Sequence, residues 1–240
     1  MTLRKRWLLA FLSIGALSVL SVDCAAVLPI TVNCDDVQIL SHELTAQEAE
    51  EFCHAALNER KKVEAFWGNT WNQPIRIHVA SSYLISRALI PAYQGNRGFM
   101  EMPLARVRDK RGALLHEIVH IYAPNRNRFL AEGLAVYLQD KMGDNPAFPN
   151  FGKDLHALAR QSFAEVSSLK MLNDVRKRPL SSVMAQPTAY ILAGSFVGFL
   201  IQEYGLPRFK SLYETGTYDE VYRKSLSTLE KEWRMKIGWK

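Results

Sequence analysis

The chain has 240 residues, a formal charge of +6, and 48% hydrophobic against 22% charged residues. That balance excludes disordered and fibrous classes, and the length suits one domain with a real core, or one domain built of two lobes. So small a positive charge gives weak support for contact with an acidic envelope surface and hardly any for nucleic-acid binding.

The amino terminus departs from this average. Arg4, Lys5 and Arg6 precede an apolar run from Trp7 to about Leu20, and the small residues Cys24, Ala25 and Ala26 follow. This order predicts a secretory signal peptide over residues 1–26, cleaved near Ala25 or Ala26, and hence a periplasmic or extracellular protein. A retained membrane anchor is the rival, for which the run is slightly short. Lipid attachment at Cys24 is a second rival, opposed by Asp23 where a small residue is usual. Cleavage removes Arg4, Lys5, Arg6 and Asp23 and lowers the formal charge from +6 to +4. It also leaves Cys34 and Cys53 as an even pair in an oxidising compartment, where one disulfide is the natural expectation and two buried thiols the alternative.

In chain order, "ITVNCDDVQIL" is rich in β-branched residues and reads as a strand or part of a hairpin. Thr45, with Glu48 three residues on and Gly68 as a stop, predicts a long capped helix whose inward face carries Cys53. Pro74 opens "IRIHVASSYLI", a strand on which His78 reads as a solvated residue. A turn at "YQGNRG" leads to "FMEMPLA", whose Pro103 suits an edge strand able to pair with an extended peptide. Two helices joined by a short turn follow, one around "ALLHEIVHIY" ended by Pro124, the other "RFLAEGLAVYLQDKM" ended by Gly143.

The loop "NPAFPN" divides an amino-terminal α+β lobe, residues 27–144, from a helical lobe, residues 145–240, of the same catalytic domain. Helical patterns run over 153–163, 189–204 and 226–237. The middle one is apolar but too short to span a membrane, and Gly194 and Gly198 suit close helix packing. Arg176, Lys177 and Arg178 read as a solvated loop, and there is no internal repeat.

The chemistry concentrates in His116-Glu117-Ile118-Val119-His120. Residues i and i+4 lie roughly 40° apart around a helix, so both imidazoles face one way and can share a metal. Glu117 is placed to take a proton from water and return it to a leaving amine, which marks a hydrolase site rather than a metal clip. A third ligand is required. The glycine and third histidine of the metzincin continuation are missing, Ala123 and Arg126 standing in that stretch. Glu132, early on the next helix, supplies a carboxylate at the right remove, and Gly133 beside it lets the two motif helices approach closely. Asp140 competes from further along the same helix. His42, His54 and His156 lie outside any ligand spacing.

"Leu115-His116-Glu117-Ile118-Val119-His120" followed by "Phe129-Leu130-Ala131-Glu132-Gly133-Leu134-Ala135" resembles the gluzincin superfamily, in particular small peptidase MA-like domains related to thermolysin and aminopeptidase N. The likeness covers about residues 74–205. It implies a zincin fold, α+β with a small mixed sheet whose edge strand packs on the active-site helix, and one zinc ion held by His116, His120 and Glu132, with Glu117 as base. It also makes Tyr190 a candidate oxyanion donor, beside the plainer reading as a core aromatic. Gly98-Phe99-Met100-Glu101-Met102 resembles the strand whose glutamate grips a substrate amino terminus, although Met102 replaces the asparagine.

The expected protein is thus an exported zinc metallopeptidase acting on peptides or proteins, with no nucleic-acid partner and no membrane span after cleavage. Two alternatives stand beside it: a zinc-binding envelope protein that binds peptides without turnover, and a zinc hydrolase of a non-peptide amide.

Overall fold

The computed structural model describes residues 28–90, 98–162 and 187–239. The segment expected to be a signal peptide, most of the glycine-rich turn and the Arg176-Lys177-Arg178 triplet lie outside them.

Strands β1 (Ile30–Cys34) and β2 (Val37–Ser41) form an antiparallel hairpin with Cys34 opposite Val37. Its turn places Asp35 at φ 48°, a left-handed conformation that a short polar side chain tolerates. Helix α1 (Ala46–Trp67) then crosses back to β3 (Ile75–Ala80), which pairs parallel to β2. Thr45 Oγ1 accepts from Glu48 N–H at 3.1 Å while the Glu48 carboxylate accepts from Thr45 N–H at 2.8 Å, so two otherwise orphaned donors are met at the helix start. Ala49, Cys53, Ala56 and Val63 line its buried face. Cys53 there forms a disulfide with Cys34 across Cα atoms 6.0 Å apart, tying the helix to the hairpin.

Strand β5 (Phe99–Pro103) pairs parallel to β3, and β4 (Arg87–Leu89) pairs antiparallel to β5, giving the mixed five-stranded order β1-β2-β3-β5-β4. The edge strands are therefore β1 and β4, and the sequence expectation that β5 is an edge strand is corrected. Pro103 is tolerated inside the order because β4 reaches only from Phe99 to Glu101, so the missing N–H falls where no ladder bond is due. His78 is also corrected. It is half-buried, with Nδ1 2.7 Å from Tyr83 Oη and its ring edge-on to Tyr83 and Phe99.

One face of the sheet carries Val37, Ile39, Ile75, Ile77, Val79, Met100 and Met102, all buried against the helical layer. After the short helix α2 (Leu104–Arg108) come α3 (Leu114–Tyr122) and α4 (Arg128–Met142), and α3 packs on α1, α4 and β4. The remaining described elements are helices: α5 (Leu155–Ser162), α6 (Thr188–Tyr204), α7 (Leu206–Thr215), α8 (Tyr218–Tyr222) and α9 (Leu226–Lys236). No helix among the described residues is long and apolar enough to cross a membrane.

The most extensive helix contact is between α4 and α6. A Cβ on Gly133 would stand 2.6 Å from Val197 Cγ2 and 2.7 Å from the Ala193 carbonyl oxygen, and one on Gly194 would stand 2.4 Å from Val136 Cγ1. Gly133 thus admits α6 rather than the other motif helix, correcting the pairing expected from sequence. Adding one methyl there meets backbone that cannot swing aside. Gly133→Ala is expected to lower stability by about 1–3 kcal/mol despite alanine's better helix propensity, read as a fall in Tm.

Candidate metal centre

Every residue of α3 is buried, polar members included. His116, third in the helix, has a backbone N–H with no earlier carbonyl of the helix to accept it. The Gln139 side-chain oxygen takes that N–H at 3.1 Å, while its amide nitrogen donates to the Asn145 carbonyl at 3.0 Å. Gln139 lies two turns beyond Glu132 on α4, so this one side chain fixes the register of the two motif helices and the loop after them. The turn between the helices is held as well. Tyr213 Oη donates to the Ala123 carbonyl at 2.6 Å, and the Asn127 side chain caps α4 by accepting from Leu130 N–H at 3.4 Å.

This packing brings His116, His120 and Glu132 together, all three buried. The two Nε2 atoms are 3.1 Å apart, and Glu132 Oε2 is 3.1 Å from the first and 3.2 Å from the second. Lone-pair atoms aimed at one another repel unless a proton or cation lies among them. Tetrahedral zinc with ligand bonds of 2.0–2.1 Å needs neighbouring ligand atoms about 3.3 Å apart, so the spacing fits that ion. Two imidazole nitrogens and a carboxylate oxygen with a fourth position left over are also a donor set of catalytic zinc. Asp140, the sequence-level competitor, is not in the cluster and accepts from Asn150 Nδ2 at 2.6 Å.

Glu132 is 2% exposed. Burial opposes its ionisation, but the charge of His120, hydrogen bonds from His116 and His120, and the Arg128 guanidinium outweigh burial and hold the carboxyl well below the usual range. Arg128, one helical turn earlier, ion-pairs with Glu132 Oε1, the oxygen turned away from the imidazoles. Glu117 projects beside the cluster and is pushed up to about 7, chiefly by burial, with the Ala88 N–H bond acting the other way. Its Oε2 accepts that bond at 2.7 Å, so edge strand β4 touches the candidate base directly.

Tyr190, near the start of α6, stands with its ring centroid 6.4 Å from that of His116. Burial, then the nearby Glu132 charge, raise its phenol pKa, and the Arg128 charge partly offsets them. Phe148 lies edge-on to Tyr190 at 5.3 Å and Phe151 edge-on to Phe148 at 6.3 Å, which extends an aromatic line outward from the cluster. Glu101 is engaged elsewhere, ion-paired with Arg87 across β5 and β4.

Sequence reasoning passed over Arg128, Gln139 and the Ala88 backbone. The first two had a usable signal, since Arg128 is four residues before Glu132 and Gln139 seven after, both on the face that Glu132 occupies.

Comparison with protein-family models and with curated proteins gives no match. Among solved structures, a point mutant of an M1 zinc metallopeptidase from Deinococcus radiodurans aligns with 89% of this chain and 52% of its own, at 15% identity and a TM-score of 0.50. A second structure of an M1 zinc metallopeptidase from that organism aligns with 88% of this chain and 48% of its own, at 15% identity and a TM-score of 0.47. The chain spans about half the length of these structures. At this identity the likeness is one of fold.

Zinc bound at the cluster would stabilise the folded state by about 4 kcal/mol when free metal exceeds Kd a thousandfold. Chelator treatment is therefore expected to lower Tm, and the shift should vanish in Glu132→Ala; calorimetry with and without zinc reads both.

Proposed function

We propose that this chain is an exported zinc metallopeptidase that hydrolyses extended peptides, with His116, His120 and Glu132 as ligands to one zinc ion. The observation that carries the reading is the approach of those three ligand atoms to within 3.2 Å of one another in a buried site, with the Glu117 carboxyl alongside. The fold shared with a zinc metallopeptidase supports it, and the Cys34–Cys53 disulfide supports export.

Zinc in this site would act as a Lewis acid on the scissile carbonyl and on the attacking water. The protein's own groups do the rest. Glu117 accepts a proton from the water as it attacks, then delivers it to the leaving amine nitrogen. Burial raises its pKa above that of an exposed glutamate, which makes the carboxylate a stronger base toward the water. Because Oε2 is held by the Ala88 N–H, Oε1 is the oxygen available for the transfer. Tyr190 keeps its proton at any ordinary pH and donates its O–H to the oxygen that gains charge.

Substrate lies along β4 rather than β5. In a strand the N–H and C=O of one residue point to the same side. The Ala88 N–H turns toward Glu117, so the Ala88 carbonyl also faces the site, on the sheet edge where an extended peptide can add as a further strand. Beside His116, Tyr190 and the Phe148 ring packed on it offer an aromatic surface to a side chain next to the scissile bond. The ion pair of Glu101 with Arg87 leaves that glutamate occupied rather than presented to a substrate amine.

Glu117→Gln is the decisive variant. Assayed on a peptide library, it is expected to retain zinc and lose roughly a hundred- to ten-thousandfold in kcat. Full activity without the carboxylate rejects the proposal, and a wild-type protein that holds zinc but cleaves nothing favours a binding protein instead. Tyr190→Phe is expected to lower kcat roughly tenfold or more with little change in KM.

A further inference from the structure

Arg128 occupies an unfavourable place for a cation. It is the first residue of α4, where the helix dipole presents partial positive charge, so something specific must hold it there. Its guanidinium ion-pairs with Glu132 Oε1. Glu132 is nearly inaccessible to water, so its two oxygens must both be satisfied from within the protein. Oε2 faces the His116 and His120 nitrogens; Oε1 is taken by Arg128.

We propose that Arg128 is a positioning residue that restricts Glu132 to a single metal-facing oxygen. The inference rests on the reading of His116, His120 and Glu132 as the metal set. A carboxylate with both oxygens free can close on a metal with two bonds, which fills the position a substrate carbonyl or water needs. A guanidinium on Oε1 prevents that swing, because turning Oε1 inward would break a charge-assisted bond in a dry site.

The test uses the purified protein with cobalt(II) in place of zinc and reads its visible absorption, whose intensity separates four-coordinate from higher-coordinate metal without reference to turnover. The wild type is expected to give the intense bands of a four-coordinate ion. Arg128→Gln and Arg128→Met are expected to give bands weaker by roughly twofold or more as Glu132 closes with both oxygens, and Arg128→Lys, which keeps a charge on Oε1, to restore them. Folded Gln or Met variants with undiminished bands overturn the proposal. Weak bands in the wild type overturn it even if no variant folds. A wild type that takes up neither cobalt nor zinc defeats the metal assignment itself, which keeps the two failures distinct.

Discussion

A carboxylate that is 2% exposed must be surrounded by groups that replace water, and the rest of this site can be derived from that requirement. Glu132 finds its partners on two sides: imidazoles from α3 and a guanidinium one turn back on α4. None of these can move far without stranding charge in a dry interior. The same requirement explains why α3 is buried along its whole length and why its first turn borrows Gln139 to satisfy a backbone donor.

Helix α4 serves two packing partners at once. Its Glu132 and Gln139 face α3, while Gly133 lets the Ala193–Val197 stretch of α6 approach to a distance that a methyl group would block. The sheet contributes at the other end of α3, where the short edge strand β4 holds the Glu117 carboxylate by a backbone N–H. The clustered side chains, the Glu117 carboxylate and the β4 edge thus come from elements that each touch α3 or α4, and errors in the placement of one are limited by its contacts with the next.

Much of this was legible in the sequence. Four-residue spacing on a helix puts His116 and His120 on one face whatever the tertiary context, and a capping box at Thr45 and Glu48 forms from local geometry alone. The Cys34–Cys53 bond followed from parity and helix face. What failed was pairing at a distance. Pro103 reads as an edge residue because sequence does not tell where a neighbouring strand stops, and β4, at three residues, is too short to show a period. Gly133 signalled a close helix contact but not which helix. Arg128 stands four residues before Glu132, a spacing that puts the two on one helix face, but that the carboxylate it pairs with is buried is a property of the folded chain.

The central claim is that His116, His120 and Glu132 hold one zinc ion. A crystal of protein purified without chelator, measured on both sides of the zinc absorption edge, tests it most directly. The account predicts a single strong anomalous peak among His116 Nε2, His120 Nε2 and Glu132 Oε2, at about 2.0–2.2 Å from each. A zinc-replete crystal with no peak there, or with the peak at other residues, would contradict it.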